Sequence, residues 1–163
     1  MACRGVLFAL TDQEAAALLA ADGDEEVVAR VAEVEEAWAE DRVCELDKSW
    51  DALHRCLTDG ELAFDNGDFP LSHVILGGRP LTEGDDWLVC YVTPEEVRAV
   101  AAALAAVDEP WLRGRYLGLD LADYDGPHGE QDLQYTAAFL PDLREFYHRA
   151  AAAGLAVVFT VDQ

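Results

Sequence analysis

Trp87-Leu88-Val89-Cys90-Tyr91-Val92-Thr93-Pro94-Glu95-Glu96 carries a strand and the start of a helix within one short stretch. Residues 87–92 combine aromatic and β-branched side chains, which suit a pleated, half-buried surface. Thr93 is a helix N-cap, and Pro94 takes the first helical position, where its missing N–H would be unpaired in any case. Glu95 and Glu96 then face the positive end of the helix dipole. A strand that feeds directly into a helix is the building unit of an α/β fold. The alanine-rich helix is expected to end near Val107.

The same grammar recurs on both sides. Residues 4–10 read as a buried strand, and Thr11-Asp12-Gln13-Glu14 as a capping box opening a short helix to about Ala21. Leu155 to Val161 reads as a closing strand. Both strands are apolar throughout, the pattern of strands covered on two faces, so both are expected at the centre of a sheet. Between them the spacing predicts a helix over 25–40, with Val27, Val28, Val31, Val34 and Trp38 on its apolar side, and another over 47–58. Residues 59–72 read as loop, from Asp59-Gly60, Asn66-Gly67 and Pro70. His73-Val74-Ile75-Leu76 reads as a brief strand ended by Gly77-Gly78. Asp108-Glu109-Pro110 starts a short helix stopped at Gly114, residues 115–131 read as irregular, and a long helix is expected over 131–153. Pro141 should bend or interrupt that helix, and Gly154 should cap it. Four strands separated by helical blocks predict one helix-covered sheet in a single domain.

Composition narrows function by exclusion. The chain has 163 residues, 52% of them hydrophobic, enough to bury a core and too many for a disordered chain. Its 33 acidic residues against 11 basic ones give a net charge of -22, which excludes ordinary phosphate-backbone binding to nucleic acid and binding to an anionic membrane. A basic protein partner fits that charge, and so does a plain solubilising surface. No stretch approaches a membrane span, and the N-terminal apolar run is too short for a signal-peptide core. Cys3, Cys44, Cys56 and Cys90 form no C-x-x-C pair and match no zinc spacing. These features predict a cytoplasmic protein with free thiols, most of them buried. Neither a Walker A loop nor a G-x-G-x-x-G fingerprint is present, and no cofactor is indicated.

The chemistry concentrates in Asp47-Lys48-Ser49-Trp50-Asp51-Ala52-Leu53-His54. On a helix, Asp47, Trp50, Asp51 and His54 share one face at i, i+3, i+4 and i+7. Lys48, the chain's sole lysine, stands beside them at the helix start. Three functional readings follow. Asp51 orients His54 for acid–base catalysis; Asp47, Asp51 and His54 hold a divalent metal, although one helix rarely supplies three ligands; or Asp47, Lys48, Trp50 and His54 line a pocket for an anionic or aromatic ligand. A structural reading stands beside them, with Asp47 an N-cap, Trp50 and Leu53 core anchors, and His54 bonded to a backbone carbonyl. His128 reads as a surface turn residue and His148 as the edge of a helix. Cys56 points away from His54, and Gly77-Gly78 serve a turn or a close approach to the backbone.

Asp47-Lys48-Ser49-Trp50-Asp51-Ala52-Leu53-His54-Arg55-Cys56-Leu57-Thr58 resembles the signature of the YfbM-like family of small bacterial proteins. Pro70-Leu71-Ser72 with Leu76-Gly77-Gly78, and Tyr91-Val92-Thr93-Pro94-Glu95-Glu96-Val97, resemble that family's middle blocks. The likeness covers nearly the whole chain; Asp59-Gly60 after Thr58, and Pro141, depart from it. It implies one three-layer α/β/α sandwich over residues 1–163, here with a small mixed sheet of about four strands. It brings no activity. The expectation is therefore a binding module for a small ligand or a protein partner, with a pocket at the start of helix 47–58. The alternatives are a hydrolase- or transferase-like enzyme using His54, and an acidic protein that binds a basic partner.

Overall fold

The computed structural model describes residues 3–64 and 66–162. Five strands, β1 (Gly5–Leu10), β2 (Val43–Asp47), β3 (Arg79–Pro80), β4 (Trp87–Val92) and β5 (Ala156–Asp162), form one sheet in the order β2-β1-β5-β4-β3. All four pairings are antiparallel, which corrects the expectation of a mixed four-strand sheet. The first and last strands do occupy interior positions, as their unbroken apolar character predicts.

Side-chain alternation divides the sheet between two cores. Phe8, Leu10, Val89, Tyr91, Ala156 and Val158 face α1 (Asp12–Leu19) and α2 (Asp24–Ala37). Leu7, Ala9, Cys90, Val92, Val157 and Phe159 face the larger layer, built from α3 (Trp50–Leu57), α4 (Pro94–Leu104), α5 (Glu109–Leu117), α6 (Gly129–Ala138) and α7 (Leu140–Ala153). Helices on both faces of a central sheet make the three-layer sandwich. Strands buried on two sides lose the polar alternation, and across the buried positions of β1 and β5 only Thr160 is polar.

Local signals explain the boundaries. Thr11 with Glu14, and Thr93 with Glu96, close reciprocal capping boxes at the starts of α1 and α4. Asp108 caps α5, which runs on to Leu117 past the expected stop at Gly114, so part of the stretch read as irregular is helical. Pro141 divides the expected long helix: α6 ends at Ala138 and α7 begins at Leu140, with Phe139 between them. Gly154 ends α7 at φ +70.

Three expectations need correction. Residues 73–76 form no strand: Leu71–His73 is a short 3-10 helix, and Val74, Ile75 and Leu76 are buried as irregular chain. A short apolar run says that a segment is buried, not what shape it takes. β2, unpredicted, lies where Val43-Cys44-Glu45-Leu46 alternates burial. The helix read over 47–58 begins only at Trp50, because Asp47 still belongs to β2. The loop reading of 59–72 includes Asp65, which lies outside the described residues.

Candidate functional site

The sequence cluster is taken apart at its first residue. Asp47 sits at φ +46, a left-handed conformation that aspartate tolerates, and the chain leaves the sheet there. Ser49 closes the turn, donating to Leu46 O from its amide at 2.9 Å and from its hydroxyl at 2.6 Å. Asp47 is therefore no N-cap. Its carboxylate accepts the Tyr135 hydroxyl at 2.8 Å and pairs with Arg4 at 3.3 Å. Lys48 is exposed, and its amide donates to Tyr135 Oη at 3.4 Å.

Trp50 and His54 face inward. Trp50 is 4% exposed, packs on Phe159 and donates its indole N–H to Cys3 O at 3.1 Å. His54 is 1% exposed and bonded at both ring nitrogens. Leu76 N–H reaches Nδ1 at 3.4 Å, and since an amide can only donate, the ring proton stands on Nε2, 3.1 Å from Ala63 O. Burial pushes the imidazole pKa down to about 4, so the ring is neutral at pH 7. With both nitrogens committed, His54 has none to offer a substrate.

Asp51 does not orient His54; it accepts Arg55 Nε at 2.6 Å. Burial raises its carboxyl pKa, and the Arg55 bond opposes that rise. Asp47, Asp51 and His54 thus have three unrelated sets of partners, and among the described residues no trio of His, Cys, Asp or Glu is placed to hold a metal ion. Cys44, Cys56 and Cys90 are free and buried, with burial lifting each thiol to about 12, far from a reactive thiolate.

Two other arrangements were not foreseen. Ser72 Oγ lies 3.0 Å from His73 Nδ1, and His73 Nε2 lies 3.1 Å from Glu96. The composition is that of a hydrolase triad, but Glu96 already holds the capping box of α4 through its other oxygen, and Ser72 is buried. Gly77 and Gly78 do not receive a ligand: a Cβ there would lie 2.0 Å from Ser72 O and 2.5 Å from Tyr91 O, so the chain's own backbone fills the space.

The second arrangement is a cleft of about 620 Å³ at the C-terminal end of α3, lined by Arg55, Asp59 to Ala63, and Gly118, Leu119, Asp120 and Asp123. One wall is the loop after α3, tied by the chain's sole asparagine. Asn66 donates to Thr58 Oγ1 at 3.1 Å and Glu61 O at 2.7 Å, and accepts from Asp59 N at 3.1 Å. Gly67 follows at φ +80, where a Cβ would meet Thr58 Cα at 2.8 Å. Arg55 is the strut between the walls. From beneath the Asp51 carboxylate it donates to Gly60 O on one side and Asp123 O on the other, each at 3.3 Å, with its guanidinium over the Tyr124 ring. Behind it, buried Asp132 accepts the hydroxyls of Tyr116 at 2.5 Å and Tyr124 at 3.0 Å. Burial and that carboxylate both raise the two phenol pKa values, so the tyrosines stay protonated as donors. Arg115 holds the outer wall through Cys56 O and Thr58 O.

The cleft is acidic. Asp59, Glu61, Asp120 and Asp123 supply carboxylates, while of the two guanidiniums at its walls Arg55 is matched by Asp51 and Arg115 is bonded to the Cys56 and Thr58 carbonyls. Asp59 and Asp120 also brace their own loops, accepting Gly67 N at 3.2 Å and Ala122 N at 3.1 Å. Glu61 and Asp123 are exposed. The sequence expectation pointed to the start of this helix; the cleft lies beyond its end, where Arg55 and Asn66 shape the walls.

A family model described as a domain of unknown function, DUF1877, matches residues 1–160. The chain is similar in fold to the crystal structure of a protein of unknown function, YfbM, from Escherichia coli. That match has a TM-score of 0.64 at 20% identity, covering 97% of this chain and 99% of the other. No curated protein matches. Among the described residues no helix is long and apolar enough to cross a membrane.

Proposed function

This chain belongs to the DUF1877 family of unknown function, and on that premise we propose that it is a non-catalytic module holding a positively charged partner in the cleft beyond α3. One observation carries the reading: the cleft sets four carboxylates around a space where Arg55 is neutralised from behind by Asp51 and Arg115 is bonded to backbone carbonyls of the wall. Its volume of about 620 Å³ falls within the range of small-molecule sites. An ammonium or guanidinium group there gains charge-assisted hydrogen bonds without expelling a resident cation. The net charge of -22 draws the same class of partner from a distance.

The pocket expected at the start of the helix finds no such support, since Trp50 and His54 are core residues and Asp47 is occupied by Tyr135 and Arg4. The reading of His54 as acid or base loses its support with both ring nitrogens bonded to backbone.

Calorimetric titration with spermidine and with arginine methyl ester tests the proposal. At low salt the wild-type chain should bind at least one of them. The double variant Glu61→Gln/Asp123→Asn should bind it about tenfold more weakly, and binding should fade as salt rises. No heat with either cation, or equal affinity in the variant, overturns the reading.

A further inference from the structure

The geometry points to a second surface: the free edge of β2 accepts an extended, basic peptide segment of another protein as an added strand. β2 is one end of the sheet, paired with β1 alone. The opposite end is guarded, because β3 is only two residues long and one is Pro80. β2 has no proline, glycine or lysine to blunt it; its only irregularity is the register shift against Gly5/Val6, where it leaves the sheet at Asp47. Val43 to Leu46 therefore presents a strand edge on which, among the described residues, only Leu46 O is already taken, by Ser49, and such an edge is a template for strand addition.

The surroundings select the occupant. A groove of about 460 Å³ runs along Val43, Cys44 and Glu45, between Trp38 and Glu40 on one side and Phe139 and α7 on the other. Trp38, 41% exposed, is held beside it by a left-handed turn at the end of α2 and by its edge contact with Phe8. Exposed Glu40, Glu45, Asp142 and Glu145 line the groove against one cation, Arg149, itself 4.0 Å from Glu145. Side chains of an added strand alternate between the two faces, so basic residues pointing one way meet Glu40 and Glu45, and those pointing the other meet Asp142 and Glu145. Trp38 and Phe139 offer contact to apolar residues and to the stems of Lys or Arg. A second copy of this chain is disfavoured, because pairing two β2 edges would oppose like charges. This surface is separate from the cleft beyond α3 and stands or falls without it.

The test uses a fluorescein-labelled decapeptide alternating lysine and valine, followed by anisotropy and by amide hydrogen exchange. The wild-type chain should bind it with slowed exchange at residues 43–46. Glu45→Lys/Glu145→Lys, which changes only exposed side chains, should weaken binding more than tenfold. Glu61→Gln/Asp123→Asn should leave it unchanged. The same peptide N-methylated at alternate residues should lose binding, since strand addition needs its backbone donors. No binding, unchanged affinity in the lysine variant, equal binding of the methylated peptide, or no slowing at 43–46 overturns the proposal. So does loss in the cleft variant, which would put the peptide in the cleft. A wild-type dimer that protects the same amides would give the edge to a second copy and also overturn it.

Discussion

The inner and outer sides of α3 both carry polar residues and put them to opposite use. On the inner side Trp50, at the helix start, and His54, in its last turn, face the core, and each polar atom reaches a distant stretch of backbone: Cys3, Ala63, Leu76. On the outer side Arg55 bridges two loops, and the acids around it turn outward. A helix start dense in Asp, Lys, Trp and His looks like a site because those residues can do chemistry. Whether they do is decided by how much of their hydrogen-bonding capacity the fold has already consumed. On the inner side it is consumed, and beyond the outer side the carboxylates of Glu61 and Asp123 remain in reach of solvent.

If that contrast is right, substitutions on the two sides separate cleanly. Trp50→Ala removes a buried indole and strands Cys3 O, and should cost about 4 kcal/mol in urea unfolding, with Trp50→Phe recovering most of it. His54→Ala should cost about 3 kcal/mol at pH 7, because it opens a cavity and leaves Ala63 O and Leu76 N–H unpaired. A cost below about 1 kcal/mol would mean that His54 is not a strut, and the contrast would fail.

His54 also sets a pH window. Its pKa falls from an ordinary 6.5 to about 4 on folding, so the unfolded chain takes up the proton first as the solution is acidified. Its contribution is complete above pH 6.5 and lost as pH falls to 4, about 3 kcal/mol in all. The stability gap between wild type and His54→Ala should therefore shrink over that window, and a pH-independent gap breaks the account. Asp51→Asn leaves the buried Arg55 guanidinium without its counter-charge; partial exposure of Asp51 moderates the loss to about 2 kcal/mol. Smallest of all, Glu61→Gln/Asp123→Asn should move stability by less than about 0.5 kcal/mol while weakening cation binding.

Much of the architecture was legible in the residues. The capping boxes at Thr11 and Thr93, the interior placement of β1 and β5, the break at Pro141 and the cap at Gly154 each follow from local chemistry. The sheet's direction was not legible, because antiparallel pairing of β1 with β5 depends on the path of everything between them. β3 carries no signal in two residues, and β2 only a four-residue alternation next to acids. The cluster expected on one helical face is split by three residues of helix start. Ending β2 at Asp47 rather than beginning a helix there moves Asp47 and Lys48 off the face they were expected to share with Trp50 and His54. That shift is set by the Ser49 turn and the Tyr135 hydroxyl, the latter a contact from 88 residues away.

The place of β5 in the sheet also orders events during synthesis. β1 and β4 have no pairing with each other, and both wait for β5, the latest of the five strands in chain order. Until residue 162 is available, each presents an unpaired apolar edge, and the helices of the larger layer have no finished floor to settle on. The nascent chain thus carries both edges unpaired until β5 has emerged, and its sheet closes in one step that waits for residues 156–162.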